Sequence, residues 1–244
     1  MPPGAHSTRT LTAVILAGGL ATRLGATTRS TPKALLPVGG RPFLAWQLER
    51  LARSGYHDVL VLTGYLGDAI AEFAGDGSAF GLRVRTLSDG PALLGTAGAL
   101  RNALESLDDD FLVTYGDSYL PFDYSAPLAD LRSHPEALGT MSVFPNAGLW
   151  DASNTEVRGE RVVRYEKGAQ DPALDHIDYG ALALRRSVIA ELEPGVARGL
   201  DAIQAELARR GVLRAVVAAK RFYEIGSPDG LAELDALLSK GEVP

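Results

Sequence analysis

Residues 16–44 read LAGGLATRLGATTRSTPKALLPVGGRPFL, a strand end, a glycine turn and a basic loop in succession. An aliphatic run from Ala13 to Leu16 feeds through Ala17 into Gly18 and Gly19. The run is too short for an amphipathic helix and predicts a buried strand. A glycine turn directly after a strand lets backbone N–H groups come close to a phosphate, because no Cβ stands in the way. Arg23 and Lys33 add positive charge to the polar loop that follows. Strand, glycine turn and basic loop together point to a polyphosphate ligand.

Working outward, apolar residues at Phe43, Leu44, Trp46, Leu48 and Leu51 have helical spacing and predict a helix over 42–54, stopped by Gly55. Strands are expected over 59–63, 82–87 and 111–115, with helices over 68–74 and 95–107 between them. Near-continuous apolar strands alternating with helices imply a parallel sheet covered on both faces. The second half is more mixed. Strands are expected over 140–144, 179–184 and 213–218, and Gly159-Glu160 reads as the turn of a hairpin between 155–158 and 162–166. Helices are expected over 127–134, 188–192 and 201–210, with Asp201 as an N-cap, and from Ser227-Pro228 to about residue 240. The expectation is a loose tail over 1–10 and one α/β domain over 11–244. Its two halves cover about 11–120 and about 121–244.

Composition narrows the function. The chain has 244 residues and a net charge of −6, which disfavours a general nucleic-acid or anionic-membrane surface. It has no cysteine, so disulfides, thiolate metal sites and a Cys nucleophile are excluded. Its four His (His6, His57, His134, His176) lack metal-ligand spacing. No apolar run approaches the roughly 20 residues of a membrane span, and residues 1–10 lack a signal-peptide core, so a cytoplasmic protein is expected.

Two common phosphate loops fail on spacing. The dinucleotide fingerprint G-x-G-x-x-G meets Leu20 where its second glycine belongs, and no glycine precedes Lys-Ser or Lys-Thr as a P-loop requires. The stretch instead resembles the signature of the sugar-1-phosphate nucleotidyltransferases, L-A-G-G-x-G-T-R-L followed by P-K-x-L-x-P-V. Here these are Leu16-Ala17-Gly18-Gly19-Leu20-Ala21-Thr22-Arg23-Leu24 and Pro32-Lys33-Ala34-Leu35-Leu36-Pro37-Val38. Ala21 stands where the family carries Gly. Later segments extend the resemblance over nearly the whole chain: Gly95-Thr96-Ala97-Gly98-Ala99-Leu100, Tyr115-Gly116-Asp117-Ser118, Glu166-Lys167, Asp178-Tyr179-Gly180 and Tyr223-Glu224-Ile225-Gly226-Ser227-Pro228. Glu224 replaces the family's Asp.

The resemblance implies a Rossmann-like three-layer α/β/α nucleotidyltransferase fold with a mixed, mostly parallel central sheet. It implies transfer of a nucleotidyl group from an NTP to a sugar 1-phosphate, with pyrophosphate released. Leu16, Ala17, Gly18, Gly19, Thr22, Gly95 and Thr96 would bind nucleotide, with Arg23 on the leaving phosphates and Lys33 on the α-phosphate side. Asp117 and Glu224 would hold Mg²⁺. Gly116, Glu166, Lys167, Asp178, Tyr179 and Gly180 would bind the sugar phosphate. Asp89, before Gly95, could accept from guanine N1–H and N2–H₂, which favours GTP over UTP or dTTP. With no hexapeptide-repeat tail, the chain is similar to compact heptose-1-phosphate guanylyltransferases, so a heptose or hexose 1-phosphate is the expected acceptor. No nucleic-acid or membrane partner is expected, and a homo-oligomer is compatible with the sequence. Three other readings stay open: an inactive nucleotide-sugar-binding regulator (Ala21, Glu224), an NAD-dependent oxidoreductase, and transfer to a cofactor or small-alcohol phosphate. The failed glycine spacing disfavours the oxidoreductase.

Overall fold

The aliphatic run forms strand β1 (Thr12–Ala17), which has a neighbour on either side in the sheet's first half. The structure is a computed structural model and describes residues 12–19, 24, 30–90, 92–146 and 148–241. After β1 come a two-stranded ribbon, β2 (Pro37–Val38) and β3 (Arg41–Pro42), and then α1 (Phe43–Arg53). There follow β4 (Asp58–Thr63), α2 (Gly67–Ala74), β5 (Arg83–Ser88), α3 (Gly95–Asn102) and β6 (Asp110–Tyr115). The second half adds β7 (Ser118–Tyr119), α4 (Ala126–Ser133), β8 (Gly139–Pro145), β9 (Thr155–Arg158) and β10 (Arg161–Tyr165). It ends with β11 (His176–Arg185), α5 (Arg186–Ala190), α6 (Leu200–Arg209), β12 (Leu213–Val217), β13 (Tyr223–Glu224) and α7 (Pro228–Ser239).

The main sheet has nine strands in the order β5-β4-β1-β6-β11-β8-β12-β10-β9. Strands β5, β4, β1 and β6 are mutually parallel. β11 is antiparallel to both β6 and β8, and β10 to both β12 and β9, while β8 and β12 are parallel. All strands except β10 and β11 therefore run in one direction, the mixed and mostly parallel sheet expected. Side chains alternate across each strand, so each face of the sheet gathers its own core. One core joins Leu44, Leu48 and Leu51 of α1 to Ile70 of α2 and Leu131 of α4. The other joins Leu100 of α3 to Ile189 of α5 and Ile203 and Leu207 of α6. Three layers result. A smaller cluster of Val38, Phe43, Tyr119, Ile225, Leu234 and Leu238 packs α7 onto the ribbon.

Two expectations are corrected. The helix predicted over 95–107 ends at Asn102, and a 3-10 turn over Leu104–Ser106 turns the chain into β6. The N-cap of α6 is Gly199, not Asp201, because the hydroxyl of Thr96 accepts from Leu200 N at 2.7 Å and starts the helix earlier. Asp201 lies in the first turn, where the helix dipole favours an acidic side chain. Among the described residues, no helix is long and apolar enough to cross a membrane.

Chain order sets the site. From β1 the chain moves outward to β4 and β5, then returns to place β6 on the other side of β1. At such a reversal the two crossovers leave on opposite faces, and a crevice opens at the carboxyl ends of the strands.

Candidate active site

The crevice between β1 and β6 holds a cavity of about 270 Å³. Leu16, Ala17, Gly18 and Gly19 line it from the end of β1, Tyr115, Gly116 and Asp117 from the end of β6, and Lys33 from the loop between them. Asp89, Gly95 and Thr96 close the far side, with apolar walls from Leu62, Leu93 and Ala99. A mostly apolar slot with a few polar groups at its rim suits a planar base and a phosphate chain.

Close approach of β1 and β6 depends on Gly116. Its N–H donates to Leu16 O at 2.9 Å, and a Cβ there would stand 2.8 Å from that oxygen and 3.1 Å from Ala17 Cα. Asp117 follows immediately, outside the strand end. Its carboxylate accepts from Lys33 Nζ at 2.9 Å, and both side chains are largely shielded from water. The sequence separates these residues by 84 positions, and the switch point brings them together. A lysine and a carboxylate at this distance form a charge-assisted pair whose members can both turn to a phosphate or a cation.

Glu224 joins this group through the backbone. β13 pairs with β7 so that Glu224 lies opposite Ser118, and Ile225 N donates to Asp117 O at 3.0 Å. Glu224 also borders a shallow depression with Trp150 and Arg221. There the Arg221 guanidinium stacks 3.9 Å from the Trp150 ring centroid and 4.4 Å from that of Tyr223, and pairs with Glu233. Sequence reading did not single out this stack. Among the described residues, no group of three or more His, Cys, Asp or Glu could hold a metal alone. Asp117 and Glu224 offer two hard oxygen donors, a set that suits Mg²⁺ when substrate phosphates and water complete its shell.

Asp89 N donates to Thr63 O, and one Asp89 carboxylate oxygen accepts from Leu94 N at 3.3 Å. Burial raises its pKa above the usual carboxylate value. Gly95 and Thr96 lie on the cavity wall, but the next two amides of α3 are already taken. Ala97 N and Gly98 N both donate to Arg198 O. Gly95 has φ +69°, and a Cβ there would collide with the same carbonyl at 2.7 Å.

The second half of the chain contributes a polar cluster on β11. Asp178 accepts from Gln204 Nε2 at 2.7 Å, Gly180 N at 3.0 Å and the Tyr165 hydroxyl at 3.5 Å. Desolvation raises its pKa, while Lys167 nearby lowers it. Tyr115 lies near Asp178, and burial raises its pKa most. Tyr179 corrects the sequence reading. Its ring is buried on the opposite face of β11, edge-on to Phe122 at 5.3 Å and Phe222 at 5.7 Å, and belongs to the core rather than to a sugar site. Gly180 takes φ +97° behind Ser118. Glu166 is exposed and paired with Arg164, which also binds Asp171 at 2.6 Å, and Lys167 is exposed beside it. Thr22, Arg23 and Ala21 lie outside the described residues.

Comparison with known proteins shows the family. The family described as "Nucleotidyl transferase" matches residues 12–152. A mannose-1-phosphate guanylyltransferase of Mycobacterium tuberculosis is 30% identical over 98% of this chain and 67% of its own length. An N-acetylmuramate alpha-1-phosphate uridylyltransferase of Neisseria meningitidis is 35% identical over 58% of this chain and 59% of its own. Among solved structures, HddC from Yersinia pseudotuberculosis superposes with a TM-score of 0.77 at 24% identity, covering 93% of this chain and 99% of that one. The fold is thus shared with HddC, and the matched segment carries β1, Lys33 and Asp117. The chain belongs to the nucleotidyl transferase family.

Proposed function

We propose that the protein transfers a nucleotidyl group from an NTP to a sugar 1-phosphate, releasing pyrophosphate. The observation that carries this reading is the Lys33–Asp117 pair at the mouth of a base-sized apolar slot, on the strand ends where β1 and β6 part. The attacking group is a phosphate oxygen of the sugar 1-phosphate, already ionised at neutral pH, so no general base is required. That oxygen bonds to the α-phosphorus while the bond to the β-phosphate bridging oxygen breaks and pyrophosphate leaves with the electron pair. The protein's task is to hold two anions in line and to balance charge developing on the phosphorus and leaving group.

In this reading Gly18 and Gly19 admit the phosphate chain, and Lys33 exchanges its Asp117 partner for an α-phosphate oxygen. Arg23, outside the described residues, would bind the leaving phosphates. Asp117 and Glu224 would hold Mg²⁺, which would supply Lewis-acid polarisation at the α-phosphate. Asp178, with Gly180 and Gly116, meets the sugar phosphate side, and Lys167 and Glu166 approach from the hairpin. Asp89 supports GTP. It is a part-buried carboxylate whose raised pKa would be offset by the paired N–H donors of guanine. A heptose or hexose 1-phosphate is the proposed acceptor.

The test is a matrix of GTP, UTP, dTTP and CTP against hexose and heptose 1-phosphates with Mg²⁺, reading pyrophosphate. We expect turnover with GTP and its loss by at least a hundredfold in Asp117→Ala. No release with any pair, or near-normal release from Asp117→Ala, rejects the assignment.

A further inference from the structure

Helix α1 buries one polar side chain among its apolar ones. Phe43, Leu44, Ala45, Leu48 and Leu51 are all buried, and so is Gln47 at 1% exposure. Its amide nitrogen donates to Tyr115 O at 2.7 Å and to Ser118 O at 3.0 Å. Those two carbonyls flank Gly116 and Asp117. The amide oxygen of Gln47 has no partner among the described residues. A buried amide with an orphaned acceptor is a poor device for stabilising a core, where an apolar residue of similar shape leaves nothing unsatisfied.

We propose that Gln47 is a positioning residue for Asp117, clamping the backbone on either side so that its carboxylate keeps one place in the crevice. This rests on the reading of Asp117 as the metal-binding carboxylate. Backbone bonds from Gly116 N to Leu16 O and from Ile225 N to Asp117 O also hold the segment, each at a single point, and Lys33 Nζ and the Ser118 hydroxyl reach the Asp117 carboxylate itself. Among the described residues, the Gln47 amide is the one side chain that bonds both ends of the turn, one hydrogen to each carbonyl. The two carbonyls lie at the end of β6 and the start of β7, so loss of the clamp removes the tie that fixes their separation. A displacement of about 1 Å at a catalytic group costs on the order of a hundredfold in rate.

The test uses Gln47→Met, similar in shape but with no donor, and Gln47→Glu, which sets a carboxylate against two carbonyl oxygens. Asp117→Asn runs beside them. We expect each Gln47 variant to lose about ten- to a hundredfold in kcat, with KM for the NTP within about threefold of the parent, and to need more Mg²⁺ for half-maximal rate. We also expect faster amide hydrogen exchange in peptides carrying Gly116 and Ile225, with exchange in β4 and β5 unchanged. A folded Gln47 variant with kcat within twofold of the parent and unaltered exchange overturns the inference, provided Asp117→Asn is inactive. An active Asp117→Asn overturns the underlying reading of the site instead, and the positioning role falls with it. Should Gln47→Met fail to fold, Gln47→Glu carries the same comparison.

Discussion

Gly116→Ala is the sharpest perturbation of the switch point. The substitution adds one methyl group where β1 and β6 almost touch, 2.8 Å from Leu16 O and 3.1 Å from both Ala17 Cα and Cβ. Those atoms are mostly backbone, and β1 is held by β4 on one side and β6 on the other, so it cannot yield freely. Overpacking of this kind costs about 1–3 kcal/mol. The Gly116 N to Leu16 O hydrogen bond is stretched or lost in making room, adding about 1 kcal/mol. The sum is about 2–4 kcal/mol, and at roughly 2–4 °C per kcal/mol for a chain of this size Tm should fall by about 4–16 °C. Thermal denaturation followed by circular dichroism reads this directly. On the proposed function, pyrophosphate release should fall by about a hundredfold as Asp117 shifts with the strand end. A Gly116→Ala protein with Tm within 2 °C of the parent would refute the packing argument, whatever its activity.

Two further outcomes follow from the second half of the chain. Burial raises the pKa of Asp178, so folding favours its protonated form, and its ionisation costs stability as pH rises from the ordinary carboxylate value through the raised one. Asp178→Asn removes that cost, so its Tm relative to the parent should be higher at pH 7.5 than at pH 4. A difference independent of pH would show that Asp178 is not desolvated as described. Thr96→Val removes the acceptor for buried Leu200 N, where α6 has no other side-chain cap. The loss of about 1–3 kcal/mol should appear as a lower urea midpoint with an unchanged m-value.

The sequence made the first half legible because β1, β4 and β6 are buried on both faces and read as apolar runs, because the edge strand β5 alternates, and because each is closed by glycine or a turn. β1 into Gly18 and β6 into Gly116-Asp117 were therefore readable as the walls of one crevice. Two-residue strands such as β7 and β13 were not, since their pairing with one another, not their composition, makes them strands. Gln47 was equally hidden, because a glutamine within a helix carries no sign of what its amide will meet some 70 residues later. The contact of Arg198 and Leu200 with α3 is likewise visible only once α6 is in place. Tyr179 is different. Adjacent residues of a strand face opposite sides, so Asp178 and Tyr179 could not both have turned their side chains to one ligand.

Strand β11 runs against β6, with Ala181 opposite Thr114, and this reversal brings the beginning of β11, rather than its end, to the crevice. On the donor side the lining groups hang from loops that follow parallel strands, and such loops tolerate insertion and deletion. On the β11 side, Asp178 sits within a paired strand, in register with Val143 of β8. Adding or removing a residue there would turn every later side chain of β11 to the other face. Lineages of this fold should accordingly alter the donor pocket by changing loop length, and the β11 side only by exchanging one side chain for another.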